Sequence, residues 1–253
     1  MTTMEIKDLS KAFGGLQAVH HFNCTATSGQ IHALIGPNGA GKSTIFNLVC
    51  GVIKPDSGQV LLDGENLVGL PPHKITARGI ARTFQNVRLF KNMPVRDNIV
   101  VAIHATRDQG ILPAILTAGP GSAALRAEYE QADAVLEIVG LGHRAKVQAK
   151  NLPYGEQKRV ELARALACPV KALLLDEPTT GMNPTESVAM MDTIHAIKDR
   201  GIAILLVEHN MRVVMDISDM VTVMNFGQVI CAGTPEYVCH DEQVIAAYLG
   251  ENR

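Results

Sequence analysis

Residues 36–44 read "GPNGAGKST", the spacing G-x-x-x-x-G-K-[ST] with Gly36, Gly41, Lys42 and Ser43 in the defining places. The neighbours decide what this spacing means. "IHALIG" (31–36) predicts a buried strand ahead of it, and a helix is expected to follow Gly41 and stop at Gly51. A glycine-rich turn between strand and helix lets backbone N–H groups converge on phosphate oxygens, where the helix N-terminus adds partial positive charge. Gly36, Pro37, Asn38, Gly39, Ala40, Gly41, Lys42, Ser43 and Thr44 therefore form a candidate phosphate cradle. Lys42 supplies a point charge to the β- and γ-phosphates of a nucleotide, and the Ser43 hydroxyl suits Mg²⁺.

Outward from the cradle, "ALLLDE" (172–177), "IAILLVEH" (202–209) and "MVTVMN" (220–225) are short, continuously apolar runs. That is the pattern of parallel strands covered on both faces. Between the first two, Asn183 can cap a helix, Pro184 suits its first position, Glu186 completes a capping box and Gly201 ends it. Strand, helix, strand recurs, so the fold class is α/β with a mainly parallel core sheet and right-handed crossovers. "EIKDL" (5–9) is a β-like run ahead of the cradle, and "SGQ" (28–30) supplies turn chemistry.

The middle third reads as helical. Residues 94–104 suit a helix, as do residues 122–140, where Leu125, Tyr129, Ala132, Leu136 and Val139 recur at three- and four-residue steps. "GILPAILTAGPGSAAL" (110–125) is apolar but broken by Pro113, Gly119, Pro120 and Gly121. It is expected to be part of an inserted surface hairpin near residues 105–125, not a membrane span.

With 253 residues, 47% hydrophobic and 19% charged, the chain can bury a large core and is expected to be one α/β domain with subdomains. A formal charge of -2 removes the electrostatic case for a nucleic-acid binder, leaving only a local basic patch open. Five cysteines, none in a C-x-x-C clip, indicate neither a disulfide framework nor a zinc site. A reducing cytosol is the simplest compartment. The start "MTTMEIKDLS" lacks a basic region followed by an apolar stretch, and no apolar run approaches about 18 residues, so no entry into a membrane is expected.

"ALLLDEP" places Asp176 and Glu177 at the carboxyl end of a strand, where ligands of such sheets sit. Two acids after an apolar run are commonly a solvated strand end. Beside a phosphate cradle they read instead as a metal-binding aspartate, acting through water, and a glutamate that polarises the attacking water. His209 in "LLVEH" is either a hydrogen-bonded strand-end histidine or a γ-phosphate sensor. Gln85 in "RTFQNVRLF" can offer its carbonyl to metal or water and its amide to a neighbour.

Taken in order, "GPNGAGKST", Gln85, "LPYGEQKRV", "LLLDEP", "GMNP" and "VEH" resemble the ATP-binding subunit of ABC transporters across nearly the whole chain. The resemblance implies a P-loop NTPase fold with an N-terminal antiparallel β subdomain and a helical subdomain. Residues 1–84 and 170–253 would form the nucleotide-binding core, and residues 85–169 the mainly helical part with the signature helix. It also implies an ATPase using ATP and Mg²⁺, the metal held by Ser43, Gln85 and Asp176, with Glu177, His209 and Gln85 as the catalytic set. Phe13 in "KAFGG" falls where the family stacks an aromatic ring on adenine; the alternative is a core phenylalanine.

"LPYGEQKRV" looks like the family's signature, usually L-S-G-G-Q, so Tyr154, Gly155 and Glu156 would reach ATP held by the cradle of a second ATPase subunit. Two positions depart from the pattern. Pro153 replaces the signature serine, removing a hydroxyl and an N–H, and Asn183 replaces the aspartate usual after the catalytic glutamate. A hydrogen bond to a charged group is worth about 1.5–3 kcal/mol, so the strength of the site completed for the partner is at stake.

Within the superfamily, "ARTFQNVRLFKNMPVRDNIVVA", the inserted hairpin, Tyr154 with Glu156, and the ending "AAYLGENR" look most like the large ATPase subunit of branched-chain amino acid importers. Relatives importing urea or amides, and the lipopolysaccharide-export ATPase, share many of these features. The implied partners are transmembrane permease subunits and, indirectly, a solute-binding protein, on the cytoplasmic face of a bacterial inner membrane. Residues 85–98, with Val87, Leu89, Phe90 and Met93, are the expected groove for the permease; the plain alternative is a loop packed on its own core. Three other classes stay open. A soluble ABC-type ATPase of translation or repair would usually carry fused ATPase domains or a coiled-coil insertion. A P-loop kinase would leave the signature stretch and His209 without a role. A non-hydrolysing regulator sits poorly with an intact Glu177.

Overall fold

In the computed structural model, which describes residues 1–83, 85, 87–106 and 123–249, the chain divides into two compact units. The first unit comprises residues 1–82, 171–178 and 197–253; the second comprises residues 83–170 and 179–196. The expected hairpin near residues 105–125 lies for its greater part outside the described residues, as do Phe84, Asn86 and the last four residues of "AAYLGENR".

The first unit holds two sheets. One is antiparallel, formed by β1 (Thr3–Phe13), β2 (Leu16–Thr27), β4 (Ser57–Leu62) and β5 (Glu65–Asn66) in the order β2-β1-β4-β5. The other uses β3 (Ile31–Ile35), β6 (Ile80–Arg82), β7 (Ala172–Asp176), β8 (Ala203–Val207), β9 (Met220–Asn225) and β10 (Gln228–Gly233) in the order β10-β9-β3-β8-β7-β6. Every pairing in this sheet is parallel except β9 with β10. β3 and β8 are buried along their whole length, as their unbroken apolar runs require of strands covered on both faces.

Helix α1 (Lys42–Val49) leaves β3 through the glycine turn and buries Ile45, Phe46, Leu48 and Val49 in a core shared with Leu34, Leu174 and Leu205. A single core thus carries the cradle and the ends of β7 and β8. The short helix α2 (Pro72–Ala77) precedes β6. After β8 come α7 (Met211–Ile217), α8 (Pro235–Cys239) and α9 (Glu242–Leu249).

The second unit is helical. α3 (Val95–Thr106), α4 (Ala123–Ile138) and α5 (Tyr154–Leu166) share a core of Val95, Ile99, Ile103, Ala132, Leu136, Val160 and Ala163. α6 (Pro184–Lys198) opens with the capping box expected from its sequence: Asn183 Oδ1 accepts the Glu186 N–H at 2.9 Å, and Glu186 Oε2 accepts the Asn183 N–H at 3.1 Å. α5 starts at Tyr154 with Pro153 as N-cap, so Gly155 lies inside its first turn. Proline's fixed φ, here -54°, makes it an acceptable entry to a helix.

Candidate functional site

The cradle is a tight loop closed from within. The Ala40 N–H donates to the Pro37 carbonyl at 3.2 Å, and Lys42 Nζ donates to the carbonyls of Gly36 and of Pro37, the latter at 2.8 Å. Only 8% of Lys42 is exposed, so its ammonium is held under the loop and aimed along it. Gly36 and Gly41 both demand glycine: at Gly41 φ is +106° and a Cβ would strike the Ala18 carbonyl, and at Gly36 a Cβ would strike the Met224 carbonyl. Gly41, the N-cap of α1, gives its first turn no side-chain cap, and no acidic residue lies in that turn. The partial positive charge of that helix end is therefore not offset by a carboxylate of its own.

Above the loop lies a cavity of about 330 Å³, lined by Phe13, Leu16, Gln17, Ala18, Phe226, Glu177 and residues 38–44. It brings together three expectations from separate parts of the sequence: the cradle, the aromatic at residue 13 and the glutamate after β7. Phe13 is 45% exposed, so it is not a core phenylalanine, and Lys11 Nζ stands 5.5 Å from its ring centre. Phe226, in the turn from β9 to β10, was not expected; no sequence pattern points to it, because only the sheet order carries that turn to the cavity mouth.

Glu177 has φ +48°, in the left-handed region that costs a non-glycine residue about 1–3 kcal/mol. Its N–H donates to the Val207 carbonyl at 2.8 Å, which pins the strained residue to the end of β8. There His209 Nδ1 lies 3.8 Å from Glu177 Oε2 and 3.9 Å from Glu208 Oε2. Glu208 is completely buried, and its Oε2 accepts the N–H groups of His209 at 3.0 Å and Asn210 at 3.3 Å. This neighbour, legible in "VEH" only as an adjacent acid, sets the backbone on which His209 is presented.

Asp176 is not solvated at a strand end. Its Oδ2 accepts from Arg82 Nη2 at 2.7 Å, with both side chains about nine-tenths buried or slightly less, and Arg82 Nη1 donates to Asn47 Oδ1 at 2.7 Å. Sequence reading missed Arg82, although it stands three residues before Gln85. Burial pushes the nearby Cys50 thiol up to about 11, against the opposing pull of Arg82, so it stays a neutral thiol.

In the second unit, Gln85 is exposed and its backbone carbonyl accepts from Lys158 Nζ at 2.6 Å. The Arg88 N–H donates to Glu161 Oε1 at 3.4 Å, and Arg164 donates to the Arg88 carbonyl. One face of α5 thus fastens this loop. Burial raises the Glu161 carboxyl above its usual range, against the pull of the Arg88 N–H and the nearby cations. Leu89 packs on the unit's own core, as the plain alternative has it, whereas Phe90 is 47% exposed. At the start of α5, Tyr154 is 40% exposed, Glu156 is paired with Arg144 Nε at 3.1 Å, and the Gly155 N–H donates to Glu186 Oε1 at 3.1 Å. Burial raises the Tyr154 phenol, with Glu161 adding to the rise.

The ABC transporter family profile matches residues 19–180, and that of a branched-chain amino acid ATP-binding cassette transporter matches residues 228–253. The chain is 41% identical over 249 residues to the high-affinity branched-chain amino acid transport ATP-binding protein BraF of Pseudomonas aeruginosa, covering 98% of each chain. It is 34% identical over 251 residues to the lipopolysaccharide export system ATP-binding protein LptB of Haemophilus influenzae, covering 99% of this chain and 98% of that one. Among solved structures, the ADP conformation of MJ1267, an ATP-binding cassette of an ABC transporter, superposes with a TM-score of 0.86 at 29% identity, covering 99% of each chain.

Proposed function

Since the chain belongs to the ABC transporter ATP-binding family and is an ATPase coupled to transport, we propose that it powers uptake of branched-chain amino acids through partner permease subunits. The observation that carries its chemistry is the single cavity lined by the cradle, Lys42, Ser43, Phe13 and Glu177. A nucleotide fits these residues end to end: an aromatic face for the base, backbone N–H groups and an ammonium for the phosphates, and a carboxylate beyond them. For the transported solute, two features favour amino-acid import over lipopolysaccharide export: 41% against 34% identity, and the match of residues 228–253.

In this reading Phe13 stacks on the adenine, and Lys42 with the first-turn N–H groups of α1 neutralises the β- and γ-phosphates. Glu177 orients water for in-line attack on the γ-phosphate, while Lys42 and the loop dipoles stabilise the developing charge. His209 contacts the γ-phosphate from a backbone set by Glu208. Ser43 and Asp176 would hold Mg²⁺, both being oxygen donors of the right hardness, and nucleotide sites need few protein ligands. Bound there, the metal would supply positive charge to offset that of the phosphates. Replacing Phe13 by Ala is expected to weaken binding of a fluorescent ATP analogue about tenfold, since base stacking is worth about 1–3 kcal/mol.

Two ATPase subunits would close head to tail, the Tyr154, Gly155 and Glu156 end of α5 meeting the partner's ATP. Phe90 and its loop would dock the permease, and the solute-binding protein would act indirectly. No helix among the described residues is long and apolar enough to cross a membrane. The permease would therefore hold the chain to the cytoplasmic face of a bacterial inner membrane. The solution mass of the Glu177→Gln variant with and without Mg-ATP tests the shared site: an ATP-dependent dimer is expected. A variant that binds ATP yet stays monomeric overturns pairing between two copies and leaves a different ATPase as the partner.

A further inference from the structure

Pro153, the N-cap of α5, offers no side-chain hydrogen bond to the first turn, at a position where helices normally place serine, threonine, aspartate or asparagine. The cap comes from another element. Glu186 Oε1 accepts the Gly155 N–H at 3.1 Å, and Glu186 Oε2 accepts the Asn183 N–H at 3.1 Å. One carboxylate therefore divides its two oxygens between the signature helix and the loop 179–183. The approach is close: a Cβ on Gly155 would lie 2.8 Å from Glu186 Cγ, so Gly155 is also the residue that admits Glu186. A second contact runs parallel to the first, with Tyr154 Cε1 3.2 Å from where a Cβ on Gly181 would stand.

Pro153 and Asn183 are the two departures from the family pattern, and Glu186 answers both. It supplies the acceptor that the missing serine would have given the turn, and it bonds Asn183 in both directions, since Asn183 Oδ1 takes the Glu186 N–H at 2.9 Å. We propose that Glu186 is a positioning residue that joins the loop 179–183 to the N-terminus of α5, so that both meet a partner's nucleotide as one preassembled face. This rests on the reading that α5 completes the partner's site. Its anionic charge also suits a helix N-terminus that has lost its own cap.

Amide hydrogen exchange on the full chain without nucleotide, for residues 152–157 and 179–183, tests the tie itself. Glu186→Ala is expected to speed exchange about tenfold in both segments together, and Glu186→Gln, which keeps one acceptor oxygen for the two N–H donors, to restore protection in one segment only. In Glu186→Ala, loosening of neither segment, or of one alone, overturns the proposal. In the Glu177→Gln background, Glu186→Ala is further expected to weaken Mg-ATP-dependent dimerisation about tenfold with ATP affinity for the chain's own cradle unchanged. A general loss of structure would lower both. Stronger dimerisation in the Ala variant overturns the proposal, because Glu186 would then be an anion competing with the incoming phosphate. If Glu177→Gln alone binds ATP without pairing, the shared-site reading between copies falls, while the exchange measurement still decides whether Glu186 joins the two segments.

Discussion

Glu177→Gln is expected to cut phosphate release at least about a hundredfold while ATP affinity stays within about twofold. Removing a positioned carboxylate that takes or orients a proton typically costs 10²–10⁴ in rate, whereas in the proposed reading the nucleotide is held by Phe13, Lys42 and the loop that line the same cavity. The amide keeps the size of the side chain, and the backbone at φ +48° stays pinned by the Val207 carbonyl, so the fold has no reason to change. A release assay alongside a binding titration separates the two quantities. Unchanged turnover would remove Glu177 from the chemistry and turn attention to His209, the titratable side chain 3.8 Å from it.

Lys42→Ala is expected to act on the other quantity, weakening ATP binding by about a hundredfold and abolishing turnover as a consequence. Charge-assisted hydrogen bonds are worth about 1.5–3 kcal/mol each, and tenfold in affinity is about 1.4 kcal/mol, so the loss of one to two such bonds gives this figure. The same ammonium holds the Gly36 and Pro37 carbonyls, so part of the loss reflects a looser loop. Lys42→Arg discriminates the two contributions: it keeps the charge, but a planar guanidinium does not fit a site 8% exposed and shaped for an ammonium. Affinity in Lys42→Ala within about threefold of the parent chain would rule out this lysine as the phosphate anchor.

The cradle could be read from the sequence because everything it needs is local. A strand, a turn requiring φ > 0 at Gly41 and a helix start occupy adjacent residues, and no distant contact has to be guessed. The same holds for the capping box of Asn183 and Glu186 and for β3 and β8, whose apolar runs are long enough to declare burial on both faces. Phe13 was ambiguous for the opposite reason: an aromatic in a strand looks the same whether it faces the core or the surface, and only the fold showed that it is exposed beside the cavity. Leu89 and Phe90, adjacent apolar residues in one loop, were inseparable until the core took the first and left the second exposed.

By itself the sequence determined the α/β class, the glycine turn between a strand and the helix that opens with Lys42 and Ser43, and the placing of Asp176, Glu177 and His209 at or just beyond strand ends. Each of these is carried by spacing and residue type within one element. Tertiary structure alone decided what those residues touch: that Arg82 takes Asp176, that Glu208 sets the backbone of His209, and that Glu186 caps a signature helix opening with Pro153. Arg82 with Asp176, and Glu186 with Gly155, join residues far apart in the chain. Their geometry follows from how strands and helices are packed, a property that no local pattern of side chains encodes.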